Sequence, residues 1–441
     1  ELEGFVTGDL ELAMDIRPPA APPQVAVSTE LSKAKVRSRL LALTLEDVEG
    51  GLDFNSETGF SGRNLQSTLF GQPVVAAIGV GRSGLDDADI LDAKFVAEVS
   101  GSDLLLWSQN LAAYSLVGED PPQLLSGKAQ VTVDVAVGTG AQFNISSTLE
   151  GMTVALPEPL AKNAGEAAPL NIVLQPSAPV PLQAFWFERG QAQLFQDEAG
   201  IPGLALDLTP RPYPVLLPDN AIPAGIDIFG QMAHVELDPW LAVLRQVTFT
   251  NDRVSPQWPL RINTLKIDEV VVGTIAVEDV TLDVTPYATW HQLGINTAWL
   301  DAELTIPNDD QNIALIINQL DYDQLSGLST VATDLYPLEN EVRARRPPEL
   351  PVALDVTVAN LTFKEQALGA AKFRLSSAAD ALVIEDIQGQ LAGMKLLEGS
   401  GLTWSESDQG RWITDLSVRA EVFDLQRTFT DLSLEPLVTT R

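Results

Sequence analysis

The chain has 441 residues, 45% apolar and 20% charged, a composition that buries a sizeable interior and excludes intrinsic disorder. Its 27 basic against 60 acidic residues give a net charge of -33, which repels nucleic-acid phosphates and anionic membrane surfaces. The absence of cysteine excludes disulfides, a thiolate nucleophile and cysteine-ligated metal, and the length predicts either two or three globular units or one elongated array.

The opening, ELEGFVTGDLELAMDI, already alternates as a strand, with Glu rather than Met at position 1 and no signal segment before it. It reads as cut from a longer protein. A Pro-rich stretch at 18–23 precedes QVAVSTELSKAKV at 24–36, which aligns without a gap on QFNISSTLEGMTV at 142–154. Each copy follows a strand of one cast, GDLELAMDI and GKAQVTVDV. The longest apolar runs, such as PVVAAIGVG at 73–81, fall short of the roughly 18–20 residues of a membrane helix. DILDAKFVAEV at 89–99 is a candidate helix. In KAQVTVDVAVG, Val131, Val133, Val135 and Val137 share one side while Thr132 and Asp134 take the other, the period of a half-buried strand.

The Pro-rich stretch at 207–223 is the best internal boundary. DPWLAVLRQ at 238–246 predicts a helix, with Asp238 as cap, Pro239 in the first turn and Trp240, Leu241 and Leu244 on one stripe. A second repeat sets 270–286 on 361–377, each with apolar alternation around a short polar turn. Later strands alternate in the same way: Val352, Leu354, Val356 and Val358 against Asp355 and Thr357, then Trp412, Leu416, Val418 and Val422 against Asp415 and Arg419. Turn-forming clusters at 56–59, 138–140, 308–310 and 406–410 separate the strands at short intervals, which predicts an antiparallel meander.

Catalytic signals are missing. The two histidines, His234 and His291, sit singly among apolar or aromatic neighbours, and no Ser-His-Asp elbow, phosphate-gripping glycine loop or HExxH occurs. NDDQN at 308–312 lacks a calcium loop's following glutamate. RARRPP at 343–348 is a basic cluster suited to a solvated loop, or to a phosphate head group or a partner. The expectation is a non-enzyme without cofactor or metal.

A sheet of roughly 25 strands at about 4.8 Å spacing runs on the order of 120 Å, longer than open sheets sustain without curling or splitting. Splitting gives structural or adhesive β-sandwiches with no lipid cargo; curling gives an apolar trough. Periodicity leaves both open.

One segment bears on the choice. TLEGMTVALPEPLAKNAGEAAPLNIVL at 148–174 carries a strand, a leucine-proline pair, the pattern PL.K..GE..PL and another strand. With GGLDFNSETGFSGRNLQSTLFGQPV at 50–74, MAHVELDPWLAVL at 232–244 and the tail at 347–390, it resembles the YhdP branch of the AsmA-like superfamily, over most of the chain and in family order. The resemblance implies an all-β, elongated, strongly curled antiparallel sheet, a β-taco groove with very few short helices. With the Pro-rich 207–223 as connection, the groove is expected to divide into 1–206 and 224–441 or to be one continuous elongated unit. The implied function is conveying phospholipids between the inner and outer membranes of a Gram-negative bacterium, in outer membrane biogenesis. The place is the periplasm, with an inner-membrane anchor helix and membrane-protein partners met through parts outside this piece, and the state a monomer. Acyl chains would lie on Val131, Val133, Val135, Phe143, Ile145, Leu265, Ile267, Val270, Val272, Leu354, Val356 and Val358.

Overall fold

The computed structural model describes residues 2–14, 23–38, 43–56, 59–79, 91–110, 124–137, 140–178, 180–196, 202–215, 225–248, 259–272, 275–307, 312–324, 353–378, 381–406 and 412–431. They fall into two compact units, Glu1–Ile228 with Asp238–Pro259, and Phe229–Leu237 with Leu260–Arg441. Both consist of strands with a few short helices, the all-β class that the alternation predicts. Among the described residues no helix is long and apolar enough to cross a membrane.

The first unit opens with β1 (Leu2–Ala13), β2 (Gln24–Ser38), β3 (Leu43–Asn55), β4 (Gly59–Leu69), β5 (Gln72–Gly79) and β6 (Leu91–Ser100). Helix α1 (Gly101–Asn110) leads to β7 (Leu125–Val137), β8 (Ala141–Ser147), β9 (Met152–Val154), β10 (Leu170–Leu174), β11 (Leu182–Trp186), β12 (Gly190–Gln196) and β13 (Pro202–Asp207). From β1 to β8 each strand pairs antiparallel with the next. The run continues from β8 to β10 and on to β13, while β9 lies beside the first residues of β7. Among the described pairings β1 meets only β2, so this run is an open sheet.

Strand β14 (Gly225–Glu236) passes from the first unit into the second and is followed by α2 (Leu237–Thr248), where the sequence predicts a helix. The second unit contains β15 (Leu260–Val272), β16 (Ile275–Pro286), β17 (Trp290–Asn296), β18 (Leu300–Pro307), β19 (Ile313–Asp321) and β20 (Leu354–Phe363). It ends with β21 (Gln366–Ala378), β22 (Ala381–Leu391), β23 (Met394–Leu396), β24 (Gly401–Glu406), β25 (Trp412–Ser417), β26 (Ala420–Val422) and α3 (Leu425–Asp431). Among the described pairings of this unit all are antiparallel but one, β19 with β20, which run parallel. The meander expectation is corrected there. The 32 residues between Asp321 and Leu354 are long enough for the crossover that a parallel pair requires.

A second correction concerns 89–99. Its described part, from Leu91, belongs to β6, because Ala93, Ala97 and Val99 are buried while Asp92, Lys94 and Glu98 are exposed, and ladders on both sides fix it. The helix comes directly after. Ser100 and Asp103 cap α1 reciprocally, the Asp103 N–H donating to Ser100 Oγ at 3.1 Å and the Ser100 N–H to Asp103 Oδ2 at 3.3 Å, a capping box. Val352, the Pro-rich stretches at 18–22 and 347–351 and the basic cluster at 343–348 lie outside the described residues.

The second sequence repeat is a repeat of hairpin register. Val272 stands opposite Ile275 in one hairpin and Phe363 opposite Gln366 in the other, the positions that the gapless alignment equates. In the first repeat, positive-φ Lys33 and buried Ala34 align on positive-φ Gly151 and buried Met152.

Those positions belong to a recurrent interruption of the two-residue period. Lys33, Asp47 and Asn64, on β2, β3 and β4, have φ of 49°, 49° and 50°, and each precedes a buried apolar residue, Ala34, Val48 or Leu65. Thr264 and Asp279 do the same in the second unit, before buried Leu265 and Val280, and Asp386 precedes half-buried Ile387, with φ of 54°, 55° and 53°. Ladder register shifts beside Lys33, Asp47, Asn64, Thr264 and Asp386, so two polar residues stand where one would serve and the apolar set resumes on its own face. Such bulges bend a strand and tighten its twist; side by side on β2–β4 they crease the sheet. Glu-Asp-Val or Glu-Asp-Ile writes two of them, at 46–48 and 385–387, and the positive-φ site at 278–280, where the β15–β16 register is continuous, and short Asp tolerates the left-handed conformation that β-branched residues resist.

Asp279→Gly is therefore expected to leave stability unchanged or slightly raised, while Asp279→Val costs about 1–2 kcal/mol. Urea unfolding midpoints check this, and equal midpoints for the two variants would refute the left-handed requirement.

Candidate functional site

Ladder register shows where the expected lining residues stand. Residues directly opposite one another project to the same side of a sheet. Val133 faces Phe95 and Ile145 across its two ladders, Ile145 faces Ile172, and the row continues through Ala184 and Ala192 to Leu206. One step along, Val135 faces Ala93 and Phe143, and that row runs through Leu174, Leu182 and Leu194 to Leu204. Val131 lies opposite Ala97, which lies opposite Val74. The five expected residues of the first unit thus share one apolar face that crosses eight strands from β5 to β13. Phe143 is buried, and Val131, Val133, Val135 and Ile145 are half-buried.

The other seven belong to the second unit. Leu265 and Ile267 are buried opposite Leu282 and Val280, and the Leu265 row passes through Ile295, Ala302 and Ile317 to Val358. Val356 stands between Leu315 and Phe373, and Leu354 between Ile313 and Leu375. Val270 and Val272 pair with Val277 and Ile275 at a hairpin end, where Val272 is 41% exposed. Sequence reasoning missed the middle of these rows, Ile172, Ile295, Ala302, Leu315 and Ile317. Their signal is the period-two spacing in short strands such as LNIVL at 170–174.

The opposite face carries the charged side chains, with Val75 and Val96 among them. Asp134 faces Lys94 and Asn144, Arg63 Nε donates to Asp53 at 2.5 Å and Lys35 Nζ to Glu46 at 2.7 Å. These exposed pairs add little stability, but they put ionised groups where water solvates them. His234 Nδ1 lies 2.7 Å from Glu269 Oε2, and His291 stands opposite Pro286 and Ile306. Among the described residues no three His, Cys, Asp or Glu side chains could hold a metal ion.

At the end of these rows the face is covered. Val74, Ala97 and Val99 form one buried cluster and Ala129, Leu149 and Met152 another, and Leu104 of α1 packs against both. A Cβ on Gly101 would lie 2.7 Å from the Leu125 carbonyl carbon, so the helix start sits against β7 with no room for a side chain.

The segment that best carries the family resemblance forms a clamp. It leaves β9 and returns beside it, Lys162 exchanging backbone hydrogen bonds with Val154 at 2.9 and 3.1 Å, which covers an edge that would otherwise be free. The Lys162 side chain is buried and donates to the carbonyls of Met152 at 2.8 Å and Asn163 at 2.9 Å. Burial pushes its ammonium below the ordinary lysine value. Arg189 donates to the carbonyls of Pro159 and Ala161 and pairs with Glu166. Burial pushes the Glu166 carboxyl up, but Arg189, the Asn163 N–H and Lys162 hold it below its ordinary value. Trp240 Nε1 of α2 donates to the Glu158 carbonyl at 3.1 Å, so two phrases of the resemblance, 148–174 and 232–244, meet here.

Comparison with known proteins gives one match: the family described as YhdP protein matches residues 1–440. No curated protein matches, and no solved structure matches.

Lys162→Met should lower stability by about 1–3 kcal/mol, because the buried Met152 carbonyl and the partly buried Asn163 carbonyl lose their donor; an unchanged urea midpoint would contradict the clamp. The Glu166 contribution is present above the ordinary carboxylate range and is lost as pH falls through its lowered value. Glu166→Gln should therefore flatten the acid limb of the stability profile, and an identical limb would remove Glu166 from the clamp.

Proposed function

The chain belongs to the YhdP family, membership that supports a bridge-like lipid transport role in general, and on that premise we propose that the apolar faces of its two units carry phospholipid acyl chains. The observation behind the reading is the unbroken apolar row from Phe95 through Val133, Ile145 and Ile172 to Leu206. Each methylene taken from water onto such a surface gains roughly 0.8 kcal/mol. Head groups project into water beside the acidic side chains. The rows repeat one chemistry, aliphatic and alanine side chains without polar partners, so neighbouring positions are close in energy and a chain can slide from one to the next. In this reading the twelve residues from Val131 to Val358 are the lining and no reaction is assigned to the protein. The setting is the periplasm, where an inner-membrane helix outside this sequence anchors the chain and partners at both membranes load and receive the lipid. Val133, Val135 and Ile145 stay half-buried, which favours an open trough over the closed adhesive sandwich, whose core would bury them.

Mass spectrometry of organic extracts from protein purified without detergent should find phospholipid. Val133→Asp and Val356→Asp should each reduce the load roughly tenfold, the effect of about 1.4 kcal/mol, while Thr132→Asp, on the other face, leaves it unchanged. Lipid-free, compact protein would overturn the reading.

A further inference from the structure

Helix α1 stands on the face that the proposed function gives to lipid. By register, Val74, Ala97 and Val131 form the row next to Phe95 and Val133, and Val99 with Ala129 the row beyond. On β7 and β6 Val131, Val133, Val135 and Phe95 are half-buried, whereas Ala97, Val99 and Ala129 beside α1 are 8%, 4% and 2% exposed and Ala93, in the Val135 row, is 7% exposed. Leu104 packs on both clusters there, beside Leu69 and Val131 on the first and Leu170 and Trp186 on the second. Alanine at 97 and 129 leaves a depression where larger residues would lift the helix. The capping box at Ser100 and Asp103 starts α1 at the end of β6, and the contact of Gly101 with Leu125 leaves no gap beneath its first turn.

We propose that α1 sets the width of the acyl path, with Leu104 as the residue that fixes it. The helix withdraws Ala97, Val99 and Ala129 from lipid and confines acyl chains to the rows of Val133 and Val135, about 7 Å apart at two residues of strand rise, with Val131 at their border. This rests on the acyl-carrying reading above and adds a boundary to it. Leu104 is a specificity-determining residue: it touches the wall of the path and decides how many rows a lipid can reach.

The test loads the protein with a phospholipid bearing a diazirine on one acyl chain, irradiates it, and maps adducts by mass spectrometry. In the unaltered chain adducts should fall on Val133, Val135 and Ile145, at least tenfold above those on Ala97, Val99 and Ala129. In Leu104→Ala adducts on the latter three should rise about tenfold while those on Val133 persist. Equal labelling of Val99 and Val133 in the unaltered chain would overturn the boundary and leave the lipid reading standing. Labelling no greater on the apolar face than on Val75 and Val96 of the opposite face would overturn both. The contrast within the unaltered chain decides the proposal even where Leu104→Ala fails to fold.

Discussion

A strand that must bend and still keep one side greasy faces a constraint of parity. Side chains alternate with a period of two, so any bend that consumes one extra residue would turn the apolar set outward. This protein meets the constraint by placing two polar residues in succession, the second with positive φ, before the apolar series resumes. Asp47 and Val48, or Thr264 and Leu265, do in two residues what a flat strand does not need. The apolar rows depend on it: Leu65 joins the Val133 row through Ala76 only because Asn64 absorbs the additional residue.

Much of this was legible. Alternation at Val131–Val137 and Leu354–Val358 fixes strands and faces without reference to neighbours, since a period of two over several residues fits little else. The 270–286 and 361–377 alignment carries even the hairpin register, because two-residue turns leave no slack. Interruptions such as Glu278-Asp279-Val280 are visible in the sequence as well, but they read as noise to a search for strict alternation. The helix expected at 89–99 failed for another reason. DILDAKFVAEV satisfies both periods, and the ladders of β5 and β7 outweigh its helical propensity. The capping box at Ser100 and Asp103 was the better helix signal. The parallel pairing of β19 with β20 depends on a long connection whose path no local pattern records.

The clamp around Lys162 shows why the phrase at 148–174 is so marked in the sequence. Its lysine, arginine partner and glutamate serve the backbone rather than a substrate: Lys162 and Arg189 each donate to two carbonyls. Burying an ammonium costs several kcal/mol unless it is well bonded, and here the return is a covered sheet edge and a seat for Trp240. Lys162, Arg189 and Glu166 therefore serve the fold, while the surface proposed for lipid is made of aliphatic and phenylalanine side chains. A binding face of that kind leaves no motif, and only register assembles it.

The central claim is that acyl chains lie on the face bearing Val133, Val135 and Ile145 and not on its reverse. Methyl NMR of the protein loaded with a phospholipid spin-labelled on its acyl chain tests it directly. The account predicts that the methyl signals of Val133, Val135 and Ile145 broaden while those of Val75 and Val96 persist. Equal broadening of both sets, or of neither, would contradict it.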